Sequence, residues 1–521
     1  MASSSTSSLS PGPYAGWTRE RLVERLMQLE GNPSDAQDVL GAITNSPAIS
    51  CIPEKGEKTF DFSKSSRRKI ALKFCYSGWE YSGLAFQLGP TPLPTVENVL
   101  FDAMAKAHLV DPSGGFDGCG WERCGRTDRG VSAAGQVVSV WVRGAAQPEG
   151  DKTKESSKSG ALLNDANQLD DEFGPFTVEP TNSNTSMPAK KPVQELDYLA
   201  MLNRLLPDTI RVIAWSPVSE AFSARFSCKY RHYKYFFSSL HLDVSLMEAG
   251  ASRLLGEHDF RNLCKLDVQK QITSFRRKIL RASVTPLGSE DEASGRMYVF
   301  DLVGTAFLYH QVRHIMAALF LVGSGLEPPE TITELMNVED GAELLREEDV
   351  GKKYAIVGSK PDYQMADGLP LMLWDSGYDE SELDWRTSSR LGPNDSDIVR
   401  GDLYHQIQGI YTRSRVYSVL DQHFMKAIEK HHPPPPLLLP MKNRTQELQA
   451  ISQKPARERV ITVPLGGGTF KRLQKYKPLL ERTRLDTVEV MNERWRLGKG
   501  QRREDKRKAG AAEVEPTNAD E

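Results

Sequence analysis

The 521-residue sequence predicts an α+β fold in which two similar halves share one continuous antiparallel sheet. Residues 70–215 contain segments in the order strand, helix, strand, helix, strand. A similar mixture of strand and helix patterns follows in residues 222–322. Apolar residues make up 39% of the chain, which is enough to form a sizeable core behind such a sheet.

In the first half, apolar residues from Val96 to Ala107 recur at intervals of three and four positions, which predicts a helix with Thr95 as its N-cap. Alternating patterns and a leucine-rich stretch give the other segments of this half: strands at 70–75, 136–142 and 210–215, and a helix at 196–206.

The second half is predicted from the same two periodicities. Its segments are a loop and long strand at 222–237, helices at 245–255 and 308–322, and strands at 278–284 and 297–303. Beyond it, residues 403–430 have a helical pattern that ends before a run of four prolines, which lack the N–H donor that a helix needs.

These patterns divide the chain into four parts. Residues 1–66 form an N-terminal helical arm and a basic linker, and residues 67–220 form the first half. Within the first half, an insertion at about 144–192 is too polar to predict regular structure. Residues 221–375 form the second half. Residues 376–521 form a C-terminal extension with a polar insertion, a helix and a basic tail.

Composition limits the class of protein. The formal charge is 66 − 69 = −3, so the overall charge does not point to a polyanionic partner. Six scattered cysteines predict reduced thiols in an intracellular protein. No secretory signal or apolar run long enough to cross a bilayer is evident, so we expect no membrane association. A basic patch at 502–508 is typical of a nuclear-localisation signal, of an RNA-contacting tail or of a solvated end.

The segment Cys124–Ala133 contains a short glycine-bounded loop before a predicted strand. Asp128 lies in it between Arg126 and Arg129, whose charges favour an ionised carboxylate. A loop that leads into a strand holds a reactive side chain at a rigid edge. The alternative is an ordinary surface turn.

A second segment, residues 223–235, has four basic residues and no acidic one, interleaved with aromatic residues. Alternation places Lys229, Arg231, Tyr233 and Tyr235 on one face of a strand. Cations bind phosphates and aromatic rings stack on bases, so the mixture suits RNA. The alternative is a half-buried strand, which alternating aromatic residues also produce.

A third segment, residues 307–316, places His310 and His314 one helical turn apart. We do not predict a metal site here, because Gln311 replaces the acid of a zinc-protease motif and Arg313 repels a cation. The alternative is a packing helix with one amphipathic arginine.

These three segments together resemble the TruA-type family of tRNA pseudouridine synthases, beginning with the run GRTDRGVSAAGQVVS. The resemblance implies that Asp128 is catalytic, that Arg313 pairs with it and that Tyr233 packs against the target base. Arg126, Arg129 and Arg225 are candidates for substrate binding. The resemblance also implies the pseudouridine synthase fold, with two ferredoxin-like halves and helices on one side of the sheet.

Residues 202–207, 262–265 and 476–479 resemble the eukaryotic branch of this family, which implies conversion of uridine to pseudouridine in the anticodon stem-loop of tRNA, at positions 38 and 39. This conversion needs no metal or organic cofactor, since no group is added or lost. A homodimer, and a distribution between nucleus and cytoplasm, are further expectations. The alternatives are the same chemistry at other RNA positions and a non-catalytic RNA-binding protein. The sequence leaves open whether Asp128 attacks the sugar or removes a proton from it.

Overall fold

The structure, a computed structural model, describes residues 60–144, 195–288, 295–339, 349, 351–387, 402–432, 453, 455 and 460–502. The predicted N-terminal helix and almost all of the predicted insertion lie outside these ranges, and so does the basic patch apart from Arg502. All helices and strands below belong to the unit that begins at Phe62.

The strands are β1 (Arg67–Tyr76), β2 (Glu122–Arg123), β3 (Ser132–Arg143), β4 (Ile210–Pro217), β5 (Tyr230–Ser238), β6 (Gly256–Asp259), β7 (Arg276–Leu287), β8 (Met297–Gly304), β9 (Leu371–Gly377), β10 (Ile461–Gly466) and β11 (Thr469–Leu473). The helices are α1 (Val96–Lys106), α2 (Gly115–Gly118), α3 (Tyr198–Leu205), α4 (Val244–Ser252), α5 (Gln311–Gly323), α6 (Glu330–Met336), α7 (Asp402–Glu429) and α8 (Val488–Trp495).

Nine strands form one sheet in the order β4-β1-β3-β9-β5-β8-β7-β6, with the short β2 paired to β3. The first half has the antiparallel order β4-β1-β3-β2, which is that of a ferredoxin-like unit. The second half repeats it as β9-β5-β8-β7, with β6 added at the edge. The predicted two-half α+β fold is therefore confirmed.

The two halves join through β9, a strand that the sequence patterns do not predict. It pairs antiparallel with β5 but parallel with β3, so the sheet is mostly antiparallel rather than entirely so. Only Ser132 and Ala133 take part in the parallel pairing. Gly135 permits the close approach, since a Cβ atom there would lie 2.7 Å from the carbonyl oxygen of Trp374.

Helices pack on one face of the sheet because the alternating strands place their larger apolar side chains there. Ile70, Leu72 and Phe74 of β1 share one buried cluster with residues of α1, α3 and α5. Helix α1 begins as predicted, with the Thr95 side chain accepting a hydrogen bond from the Asn98 N–H. Residues of the C-terminal extension, including Leu479, also belong to this cluster.

The opposite face carries a second, smaller cluster over the first half. Phe222 and Ala224, from the segment before β5, pack there against Ala71 and Val137. The Ala224 N–H donates to the Ser139 hydroxyl, and its carbonyl accepts a hydrogen bond from Tyr378. This segment is thereby held against β3, close to the loop that carries Asp128.

Candidate active site

Asp128 lies in the loop between β2 and β3. Two glycines from an earlier part of the first half, Gly78 and Gly83, pack against this loop. The loop closes with a hydrogen bond from the Val131 N–H to the Asp128 carbonyl, and Gly130 adopts φ 82°. Gly78 packs so closely that a Cβ atom there would lie 2.1 Å from the Val131 carbonyl oxygen. Gly83, at φ 98°, packs against the Thr127 carbonyl. Side chains cannot be accommodated at these contacts, so the loop position depends on glycine.

The Asp128 carboxylate contacts residues of the second half. Its Oδ2 atom lies 3.6 Å from Arg313 Nη1 and 3.2 Å from His310 Nε2. The Asp128 side chain keeps 25% of its surface exposed, whereas that of Arg313 keeps 13%. The carboxylate thus remains open to a ligand on one side while a cation holds it on the other.

The pairing places Asp128 at the N-terminal end of α5, where the helix dipole attracts a negative charge. Arg126 and Arg129 have exposed side chains, and within the described ranges neither forms an ion pair or a hydrogen bond through its guanidinium. The charge that faces Asp128 therefore comes from α5 and not from its neighbours in sequence.

Arg313 is itself held by the segment that leads into β9. Its Nε atom donates to the Ala366 carbonyl at 2.8 Å, and the Ala366 N–H donates back to the Arg313 carbonyl at 3.1 Å. Gly368 packs against both the Asp128 loop and Arg313, since a Cβ atom there would be 3.1 Å from the Arg129 carbonyl oxygen and 3.5 Å from Arg313 Cζ. Sequence patterns do not reveal this segment, because it has neither strand nor helix periodicity.

His310 was considered in the sequence only as a possible metal ligand. It precedes α5 in the left-handed conformation at φ 58°, and its side chain is 7% exposed. Its Nδ1 atom is buried without a hydrogen-bond partner in the described part of the chain. The Tyr309 ring lies over the imidazole, with 3.8 Å between centroids. The left-handed backbone at His310 directs its imidazole ring towards Asp128.

His314, one turn further along α5, has different neighbours. Its Nε2 atom lies 3.0 Å from Nζ of the buried Lys360, which also donates to the Cys264 carbonyl. Burial lowers the pKa of Lys360 to about 8 and that of His314 to about 2. The two histidines therefore do not share a site. No group of three or more His, Cys, Asp or Glu side chains that could hold a metal ion occurs among the described residues.

Tyr233 is buried in β5, with 8% of its surface exposed and its ring edge-on to Phe307 at 5.0 Å. Burial raises the pKa of its phenol, and nearby negative charge, including that of Asp128, raises it further. The phenol is therefore neutral at physiological pH. Tyr235 lies on the same face of β5 as Tyr233, as alternation predicts, and both belong to the main buried cluster. Tyr235 is fully buried, hydrogen-bonded to the Asp367 carbonyl and packed against Phe320, so it is a core residue.

Basic residues surround the loop on its solvent side. Arg225 is exposed and lies over the ring of Phe226, 5.2 Å from its centroid, while Phe226 itself is 77% exposed. Arg231 donates from Nη2 to the carbonyl oxygens of Cys124 and Arg225, at 2.8 and 3.2 Å. It therefore links β5 to the beginning of the Asp128 loop and to the loop that presents Arg225.

Comparison with known proteins supports the interpretation of this geometry. Residues 251–379 match the family model described as tRNA pseudouridine synthase. The chain is 39% identical over 383 residues to the tRNA pseudouridine(38/39) synthase of Saccharomyces cerevisiae, covering 72% of this chain and 73% of that one. It is 38% identical over 331 residues to the human protein of the same name, covering 62% and 58%. It is 30% identical over 274 residues to tRNA pseudouridine synthase A of Methanothrix thermoacetophila, covering 52% and 75%.

Two ferredoxin-like halves that share a sheet, with an aspartate at their junction, agree with the pseudouridine synthase fold, and the matching relatives place the protein among the isomerases. The chain belongs to the tRNA pseudouridine synthase family. It spans 73% of the yeast relative but less than two thirds of the human one.

Proposed function

We propose that this protein converts uridine to pseudouridine at positions 38 and 39 of tRNA, in the anticodon stem-loop. The contact between Asp128 and Arg313 carries the proposal, because it joins a partly exposed carboxylate to a cation across the two halves. The names of the yeast and human relatives support the choice of positions.

The reaction breaks the N1–C1′ bond of uridine and forms a bond from C5 to C1′, and the hydrogen on C5 is replaced by one on N1. Asp128 begins the reaction, either by attacking the sugar or by removing a proton from it. Arg313 holds the carboxylate in position throughout. Tyr233, whose phenol stays protonated, supports the detached uracil while it turns.

The target nucleotide has to leave its stack to reach a carboxylate that is only 25% exposed at this junction. Arg126 and Arg129 in the Asp128 loop, and Arg225 in the loop that Arg231 ties to it, carry exposed positive charge, which suits phosphate contacts. The exposed ring of Phe226 offers a stacking surface next to them.

A homodimer is the second proposal, supported by helix α7. This helix has 28 residues, about 42 Å in length, and most of its described side chains are exposed. Ile410, Tyr417 and Phe424 follow one another at seven-residue intervals, with Ile407 and Ile428 at the two outer alternate heptad positions and the polar Ser414 and Asp421 between them. Such a stripe suits a coiled coil with a second copy. Phe424→Glu should yield monomers in light-scattering measurements, and an unchanged mass would exclude this interface.

A distribution between nucleus and cytoplasm is proposed from the basic patch at 502–508. Fusing residues 496–521 to a fluorescent protein tests it directly, since a nuclear signal redistributes the fusion.

The decisive experiment compares pseudouridine maps of tRNA from cells with and without the protein, using carbodiimide labelling. Loss at positions 38 and 39 alone supports the proposal. Loss elsewhere assigns the same chemistry to other positions. Purified Asp128→Asn protein should bind tRNA with unchanged affinity yet give no product, and product at the wild-type rate would refute the role of Asp128.

A further inference from the structure

Two cysteines that the reaction does not use lie side by side next to the active-site loop. Cys124, immediately after β2, and Cys228, two residues before β5, have their Sγ atoms 3.5 Å apart. They come from different halves of the molecule and are 104 residues apart in sequence. The remaining cysteines of the described ranges, Cys75, Cys119 and Cys264, have no such neighbour.

The surroundings of this pair favour a thiolate. Cys124 is buried, within 3.2 Å of the Ser376 hydroxyl, while Cys228 is partly exposed. Hydrogen bonding between the sulfurs lowers the pKa of the Cys124 thiol, and the positive charge of Arg231 lowers it further. The same hydrogen bond raises the pKa of Cys228. The pair therefore tends to hold one proton between its two sulfurs, and the proton can move across the S–H···S contact.

The pair also touches the machinery of the site. Cys124 lies four residues before Asp128, and its carbonyl accepts a hydrogen bond from Arg231. Cys228 belongs to the same loop as Arg225, whose carbonyl accepts a second hydrogen bond from Arg231. A change in the distance between the sulfurs therefore acts on the loop of Asp128 and on the loop that presents Arg225.

We propose that Cys124 and Cys228 form a reversible disulfide with a small-molecule disulfide such as oxidised glutathione as the oxidant, and that the closed form of the enzyme is less active. Its effect on turnover rests on the proposed function, whereas formation of the bond does not. Exposed cations at Lys229 and Arg225 lie beside the accessible sulfur and favour approach of an anionic oxidant.

The exchange proceeds in two steps. With the shared proton moved onto Cys124, the accessible Cys228 thiolate attacks oxidised glutathione, forming a mixed disulfide and releasing one glutathione thiolate, which takes up that proton. The Cys124 thiolate then attacks the Cys228 sulfur, forming the protein disulfide and releasing the second glutathione thiolate. The shared proton ends on the first released glutathione and the second glutathione takes its proton from water, so the protein is oxidised by two electrons and the glutathione disulfide is reduced.

Bond formation requires the sulfurs to approach by about 1.5 Å from their present separation. Cys124 is held by its N–H bond to the Val137 carbonyl at 2.8 Å and by the bond from Arg231, also at 2.8 Å. The shift therefore strains these hydrogen bonds or pulls the Arg225 loop inward. Either displacement disturbs a site in which an error of about 1 Å is enough to slow a reaction about 100-fold.

The test incubates the full-length protein with oxidised glutathione, blocks free thiols by alkylation and digests with trypsin. Cleavage after Arg123, Arg126, Arg225 and Lys229 releases the peptides 124–126 and 226–229, which the disulfide joins into one species of defined mass. We expect this species to form while the activity on tRNA falls at least tenfold, and dithiothreitol to reverse both changes.

Cys228→Ser should keep the activity of the reduced wild type and lose its sensitivity to oxidised glutathione. Cys75→Ser, a matched control at a partly exposed cysteine, should remain sensitive. Absence of the joined peptides in the wild-type protein overturns the proposal whatever the activity does, even if a variant fails to fold. Joined peptides with undiminished activity overturn the inhibition, as does inhibition that persists in Cys228→Ser.

Discussion

Replacement of Arg313 by methionine should slow the chemical step while leaving tRNA binding nearly unchanged. Methionine fills a similar buried volume but removes both the charge that faces Asp128 and the hydrogen bond to the Ala366 carbonyl. The carboxylate then keeps His310 as its neighbour, and its direction is no longer set by a guanidinium anchored on α5 and on the segment before β9.

The expected size of the effect follows from the distance between the charges. At 3.6 Å, and with an effective dielectric constant of about 20, the attraction is roughly 4–5 kcal/mol before water replaces the missing partner. A quarter of the Asp128 side chain is exposed, so we discount this value to about 2–3 kcal/mol. If this energy is expressed in the transition state, the rate falls about 30- to 150-fold.

Arg313→Lys separates the contribution of the charge that faces Asp128 from that of the hydrogen bond to the Ala366 carbonyl. Lysine keeps the charge but not the planar fork that contacts Asp128 and Ala366 together. Removal of one hydrogen bond, worth about 1 kcal/mol, lowers the rate roughly fivefold. The variants should therefore rank wild type, lysine, methionine in decreasing activity.

The measurement is the single-turnover rate of pseudouridine formation at saturating enzyme, with tRNA affinity measured separately. Arg126→Met provides the matched control, because it removes an exposed guanidinium that makes no ion pair in the described structure. It should weaken binding and spare the rate. A folded Arg313→Met protein whose rate falls by less than about threefold would refute the role assigned to this ion pair.

Three further predictions concern His310, the exposed arginines and the buried Lys360. His310→Ala should lower the single-turnover rate about tenfold, and it should destabilise the fold by about 1–2 kcal/mol because alanine tolerates φ 58° poorly. His310→Asn should restore the stability, measured by urea unfolding, but not the single-turnover rate. Replacing Arg129 or Arg225 by glutamine should weaken tRNA binding and reduce the slope of log affinity against log salt by about 1 for each phosphate that the variant no longer neutralises, and an unchanged slope would remove that residue from the interface. Burial lowers the pKa of Lys360 from 10.5 to about 8, so the cost of burying its charge is present in full below pH 8 and shrinks as the pH rises to 10.5. The free energy of unfolding of the wild type should therefore rise by about 2 kcal/mol relative to that of Lys360→Met between pH 8 and pH 9.5. Stability curves of the two proteins that run parallel over this range would contradict the shift.

Local patterns were sufficient for most of the elements. The helix after Thr95 was predicted with its cap, because a side chain that accepts the Asn98 N–H requires only neighbouring residues. The helix of Arg313 was predicted at 308–322 and is observed at Gln311–Gly323, since an apolar run of that length favours a buried helix. Strand β9 was missed because neither its side-chain pattern nor its neighbours in sequence indicate where it pairs.

The residues of the site divide in the same way. Asp128, Tyr233 and Arg313 were chosen from short motifs, and the structure brings Asp128 and Arg313 into contact. Their catalytic and binding roles stay predictions. The contacts of His310 and Ala366 were not predictable, because both depend on how α5 and the segment before β9 meet the first half.

The amino-acid sequence by itself determined the α+β class, the repetition of the two halves and the choice of Asp128 as the candidate acid, since periodicity, capping and a motif are properties of consecutive residues. The tertiary structure alone decided which cation faces that acid. Arg126 and Arg129 adjoin Asp128 in the chain, yet their side chains point into solvent, whereas Arg313, 185 positions away, contacts it because the sheet places the start of α5 opposite the loop. Electrostatic attraction depends on distance in space, and only the packing of one half against the other sets that distance.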